Sequence, residues 1–219
     1  MLTNSFWTPI NLSLEVAIIS FLFVLVAGTI LAKVIGTLSF KGKAVLESFF
    51  MIPIVLPPTV IGFLLVMIFG NSSFLSPLIE TILGEPIIFS FQAAVLASFI
   101  VAFPLMYQSA KVGFQSVDPQ VEEAARVDGA SATKVFLQVT LPLSWKSLIS
   151  GGILSFARAL GEFGATYMFA GNIPGKTQTV PIAIYSAMES GNMQMAWLWV
   201  IAMIFISFLM LAATNLVKN

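Results

Sequence analysis

The sequence predicts an all-α membrane protein with about five transmembrane helices and a short exposed helix on the cytoplasmic side. Three observations lead there: a composition too apolar for a water-covered fold, five long apolar runs, and a bias of Lys and Arg toward alternate connecting segments. Of 219 residues, 58% are hydrophobic and 9% are charged, against roughly 25% charged in soluble domains. A soluble fold needs a polar shell around its core, and ten Lys plus Arg with ten Asp plus Glu cannot supply one here. Lipid is expected to cover the remaining surface.

A helix crosses a hydrocarbon core about 30 Å thick with roughly 20 apolar residues. Runs of that kind extend over about Ile10 to Ile35, Ser48 to Phe69, Ile88 to Ala110, Trp145 to Ala170 and Met195 to Val217. Only the fourth has charges near its middle. The stretch Met1 to Glu15 has no basic region, so the first run reads as a retained span rather than a cleaved signal. Lys33, Lys41 and Lys43 follow the first run, Lys111, Arg126, Lys134 and Lys146 lie between or beside the third and fourth, and Lys218 follows the fifth. The alternate connections hold only Lys176. Because Lys and Arg favour cytoplasmic loops, the N-terminus is expected outside and the C-terminus inside. The chain reads as one transmembrane domain, residues 1–219, with a cytoplasmic loop over about 111–145.

Pro53, Pro57 and Pro58 in the second run and Pro104 in the third each remove a backbone donor, so kinks are expected there. Ser76-Pro77 to Gly84 and Pro181 to Gly191 carry helix punctuation and predict short interfacial helices on the outer side. The second, Pro181 to Met188, reads either as part of an outer gate or as an amphipathic connector.

Several classes of chemistry are disfavoured by composition. With no Cys and no His, thiol nucleophiles, disulfides, soft-metal sites and imidazole acid/base catalysis are absent. Zero formal net charge argues against nucleic-acid binding, which needs clustered excess cations. Catalytic, metal and cofactor-binding residues are therefore expected to be none. The segment Gly171-Asn172-Ile173-Pro174-Gly175-Lys176-Thr177 imitates a phosphate-binding loop. It is one residue short, has Ala170 where the first Gly belongs, and follows a span rather than a strand.

The longest inward loop contains Asp118-Pro119-Gln120-Val121-Glu122-Glu123-Ala124-Ala125-Arg126-Val127-Asp128-Gly129. Asp118 suits an N-cap, Pro119 the first helical position, Glu122 and Glu123 the positive dipole end, and Gly129 a left-handed stop. Ser131 can cap a second short helix running toward Pro142. A capped helix with Ala124 and Ala125 between charges offers a small, flat surface to another protein's groove.

This loop resembles the EAA loop of ABC importer permeases, whose pattern is matched by Glu123, Ala124, Ala125, Gly129, Val139, Leu141 and Pro142. The family commonly has Ile where Val139 stands. The resemblance implies a type I ABC importer permease fold, in which residues 122–129 act as a coupling helix docked on a separate ATPase. Glu122, Glu123, Ala124, Ala125, Arg126, Asp128 and Gly129 are then the ATPase-coupling residues. Residues 52–63, 161–166 and 170–179 further resemble the permease of the molybdate importer. Sulfate and thiosulfate permeases share much of that pattern, and tungstate has nearly the shape and charge of molybdate. The resemblance implies a binding-protein-dependent complex in the cell's inner membrane: two permease copies, two ATPase subunits that use ATP and Mg, and an extracytoplasmic oxyanion-binding protein. The permease itself is not an enzyme in that scheme. With no domain read after Val217, inhibition by intracellular anion would need another subunit.

Arg158 and Glu162 stand four apart in the fourth run, with Gly151, Ser155 and Thr166 near the same helical stripe. A charge at the bilayer centre costs roughly 2.5–3.5 kcal/mol on insertion scales, so the pair should face protein or a watery path. Ser155, Arg158, Glu162 and Thr166 are therefore candidate translocation-path residues, with a purely structural pair as the alternative. Ala157, Gly161 and Ala165 form a small-residue stripe suited to close helix packing, within one chain or across a two-fold interface. Two other classes compete: a membrane enzyme using Arg158 and Glu162 as acid and base, and a passive channel or scaffold, which needs no ATPase-docking helix.

Overall fold

The computed structural model describes the backbone of residues 2–218 and the side chains of residues 5–82 and 84–212. Among the described residues the chain is helical throughout, with no strand. In order, the helices are α1 (Leu2–Thr37), α2 (Lys43–Val55), α3 (Pro58–Phe69), α4 (Ser76–Leu83), α5 (Phe91–Gln115), α6 (Pro119–Val127), α7 (Ala132–Val135), α8 (Leu141–Leu143), α9 (Trp145–Leu160), α10 (Gly164–Ala170), α11 (Val180–Glu189) and α12 (Met193–Lys218). A π-helical turn, Phe136–Thr140, separates α7 from α8.

Two of the five apolar runs are divided between two helices. Among the described residues, three helices are long and apolar enough to span a membrane unbroken: α1, α5 and α12. The second apolar run divides into α2 and α3, bent by 116°. The cause is local: Leu56 and Pro57 are extended, and Pro58 opens α3 at a position where its missing N–H costs nothing. Pro104, by contrast, sits inside α5 without ending it. The fourth run also divides, into the sixteen-residue α9 and the seven-residue α10. The short helices α4 and α11 form where Ser76-Pro77 and Pro181 predict them, and Gly84 and Gly191 take positive φ after them. The side chain of Lys218, counted among the inward charges, lies outside the described residues.

The interior is built around α5, which packs along α1 on one side and α9 on the other, while α3 packs on α10. Close approach comes from small residues: a Cβ on Gly151 would sit 2.4 Å from the Ser109 Cβ, and one on Gly62 would sit 3.0 Å from the Ala165 Cα. Of the expected Ala157, Gly161 and Ala165 stripe, Ala165 makes one of these contacts, and the break after Leu160 places it on a different helix from Ala157. Without a hydrophobic drive between helices in lipid, such dispersion contacts carry much of the packing. At one end of the bundle Ser13 Oγ accepts from Val180 N–H at 2.7 Å, and Trp199 Nε1 donates to Phe6 O at 3.0 Å, tying α11 and α12 to α1. Exposed Trp197, Ile201, Ile204 and Phe208 line one face of α12, an apolar stripe suited to lipid or to another membrane helix.

Candidate functional site

The loop after α5 folds as its residues dictate. Asp118 is extended and its Oδ1 accepts from the Gln120 N–H at 2.9 Å, Pro119 follows as the first helical residue, and Arg126 stands at the negative end of α6. Gly129 closes it with φ at +86° and nothing within 4 Å of where a Cβ would be. The glycine is therefore demanded by backbone conformation and not by space. Ser131 Oγ caps α7 by accepting from the Lys134 N–H. The helix expected to run toward Pro142 does so through a π-helical turn: the Leu141 N–H reaches Phe136 O, a π-type bond, just before the proline.

The site residues of this loop separate onto two faces. Glu123, Ala124, Arg126, Asp128 and Gly129 are exposed, and Gln120, Glu123, Ala124 and Val127 share one outward helical stripe. Val127, the last residue of α6, is 87% exposed, an apolar side chain facing outward. It was not among the expected coupling residues, although its position three residues after Ala124 places it on that stripe. Ala125 and Glu122 turn toward the chain itself and are only partly exposed. Glu122 Oε1 accepts a hydrogen bond from the hydroxyl of buried Thr140 and lies 3.8 Å from Lys33 Nζ; its Oε2 lies 3.7 Å from Arg126 Nη2. Lys33 in turn stands 5.1 Å from the centre of the Phe136 ring. One carboxylate thus ties α6 to the end of α1 and to the π-helical turn leading into α9. These anchors are tens of residues apart or lie on different elements, so spacing alone could not reveal them.

The charged pair is brought together, but not on one continuous helix. α9 ends at Leu160, and Glu162 sits in the break before α10. Its Oε2 accepts from Arg158 Nη1 at 2.7 Å and its Oε1 from the Ala165 N–H at 2.8 Å. Glu162 is buried, whereas Arg158 is about one-third exposed. Both carboxylate oxygens bond across the break, one to α9 and one to α10. Ser155 lies on the buried face of α9 with Gly151 and Ala159, and Thr166 is buried on α10. The hydroxyls of Ser155, Thr166 and Thr179 are buried without a hydrogen-bond partner.

The loop imitating a phosphate cradle is closed on itself. Ile173 O accepts the N–H groups of Lys176, Thr177 and Gln178, and the Thr177 hydroxyl accepts from Ile173 N and donates to Gly171 O. Its amides face its own carbonyls instead of converging on an external anion. In α11, Tyr185 donates to Glu189 Oε1 at 2.7 Å, and this hydrogen bond pushes its phenol above the ordinary value.

Comparison with known proteins fits this geometry. A profile of the binding-protein-dependent transport system inner membrane component family matches residues 24–219. YvgM of Bacillus subtilis, whose name assigns it provisionally to a molybdenum transport system permease, is 56% identical over 95% of this chain and 92% of its own. The molybdenum transport system permease protein ModB of Escherichia coli K12 is 40% identical over 87% of this chain and 83% of its own. The sulfate transport system permease protein CysW of Synechococcus elongatus is less similar, 35% identical over 81% of this chain and 62% of its own. Among solved structures, an inward-facing form of the MetNI methionine ABC transporter superposes with a TM-score of 0.71 over all of this chain and 95% of that one, at 16% identity, a likeness of fold. With several apolar helices and a family match over most of its length, this chain is a multi-pass membrane protein of the binding-protein-dependent transport system inner membrane component family.

Proposed function

We propose that the chain is the permease subunit of an ATP-driven importer for molybdate or tungstate, with α6 as the element through which a separate ATPase drives it. The observation that carries the reading is α6 itself: a capped helix outside the apolar spans whose outward face is free and whose inward face is fixed to α1 and to the turn before α9. A stiff lever held at its base is what rigid-body transmission requires. The cargo follows the two molybdenum relatives named above, each more similar to this chain and matched over more of its own length than the sulfate permease.

In this reading the N-terminus is outside, α6 is cytoplasmic, and two copies of the chain form the path with two ATPase subunits supplying ATP and Mg chemistry. An extracytoplasmic binding protein selects the anion, so the path needs no tight site of its own. Arg158, with exposed surface left beyond its bond to Glu162, is the residue of the pair free to meet an anion; Glu162 holds the backbone. Ser155 and Thr166 line the path only in a state where α9 and α10 separate from their neighbours.

The test is uptake by proteoliposomes holding the permease, ATPase and binding protein. The expected result is ATP-dependent accumulation of labelled molybdate, competed by tungstate in preference to sulfate. Preferential competition by sulfate would assign the sulfate alternative. Uptake that persists without the ATPase would instead mark a passive channel.

A further inference from the structure

Between α2, α3 and α5 lies a cavity of about 1150 Å³. Most of its wall is apolar, and its polar lining is confined to one end, where Glu47 and Ser48 of α2 meet Tyr107, Gln108 and Lys111 of α5. Lys111 is the one cation among the described lining residues. Its Nζ lies 2.8 Å from Glu47 Oε2, the Tyr107 hydroxyl donates to Glu47 Oε1 at 3.3 Å, and both charged side chains are about one-fifth exposed. Lys111 also borders the groove of about 200 Å³ that contains Lys33 and Glu122 at the base of α6. The ion pair therefore stands between the membrane cavity and the coupling region.

We propose that Lys111 and Glu47 form a transient station for the transported oxyanion at the cytoplasmic end of the cavity, resting on the importer reading above. Apolar walls offer a dianion nothing, so the first favourable partner it meets along this cavity is the Lys111 ammonium, with Gln108 beside it as a neutral donor. Glu47 competes for the same ammonium. While the pair is closed it joins α2 to α5; when those helices part, Lys111 is free to receive the anion. Re-formation of the pair, with the carboxylate repelling the dianion, discharges it toward the cytosol. The counter-ion thus sets how long the anion stays.

The experiment uses the assembled permease–ATPase complex without binding protein and measures retention of labelled molybdate by equilibrium dialysis, alongside uptake by the complete reconstituted system. Lys111→Gln is expected to lower retention about ten-fold, the loss of one charge-assisted contact, and Lys111→Arg to restore it. Glu47→Gln is expected to raise retention about ten-fold while slowing uptake, because the competitor for the ammonium is gone. A pair that merely fastens α2 to α5 would move retention in the same direction in both neutral variants, or in neither, and that result overturns the proposal. Should Lys111→Gln fail to assemble, Glu47→Gln decides, since it keeps the cation: unchanged or weakened retention overturns the station. A wild-type complex that takes up no oxyanion in the complete system would overturn the importer reading, and this proposal with it.

Discussion

Gly129 is held at φ +86° with open space around it, so any cost of replacing it comes from the backbone alone. A β-branched residue in that conformation is strained by roughly 1–3 kcal/mol. Gly129→Val is expected to misdirect the exit from α6 and to weaken co-purification with the ATPase or uncouple its hydrolysis from uptake. Gly129→Asn, which tolerates the left-handed region better, should be milder. Equal ATPase binding and coupled hydrolysis in both variants would contradict the role given to this turn. Glu162 makes the opposite case, a residue whose importance lies in contacts. Glu162→Ala leaves Arg158 and the Ala165 N–H without their partner, and with Arg158 one-third exposed the loss is about 1–3 kcal/mol. The variant is expected to lose thermal stability in detergent. Arg158→Ala leaves the buried Glu162 carboxylate without its cation and should cost at least as much stability. Arg158→Gln, which keeps a donor for Glu162, is the cleaner probe: an assembled complex with lost uptake supports a path role, and unchanged uptake would make the whole pair structural.

At the scale of elements, α6 was legible in the sequence because its signals are local: a cap at Asp118, a proline at Pro119, a glycine at Gly129 and a spacing that resembles a known loop. The interruption between α9 and α10 was not. Residues 145–170 form an apolar run with good helix periodicity, and the break at Gly161 to Phe163 is held by Glu162 bonding to residues on both sides. Gly164 also lets the start of α10 approach Pro58, where a Cβ would come within 2.9 Å of the proline's own Cβ. Such close approach depends on partners far away in sequence, which a pattern within one segment does not carry. The bend between α2 and α3 was half legible: Pro53, Pro57 and Pro58 signal a distortion but not its 116° angle. The anchoring of α6 through Glu122 is an interaction of the same long-range kind. Each ion pair involved is worth no more than about 1 kcal/mol, so Glu122→Gln and Lys33→Met are expected to leave assembly intact. Uptake per ATP hydrolysed should fall in both, measured in the same proteoliposomes. Unchanged coupling efficiency would mean that α6 transmits through its backbone connections alone.

For the whole molecule, the apolar surface of α12 and the unburied face of α2 leave the isolated chain with more exposed hydrophobic area than water tolerates. Lipid and partner subunits are expected to share that surface. The account stands on α6 facing the cytosol, where its outward stripe meets an ATPase. The chain has no native cysteine, so Val127→Cys places a single thiol at the C-terminal end of that stripe. The decisive measurement is labelling and cross-linking of this variant in cells that also make the ATPase. A membrane-impermeant maleimide should leave the thiol unlabelled in intact cells, and a short bifunctional reagent should join it to the ATPase in inverted vesicles. Labelling of Cys at position 127 from outside intact cells, or its failure to cross-link to the ATPase in a complex that transports, would contradict the account.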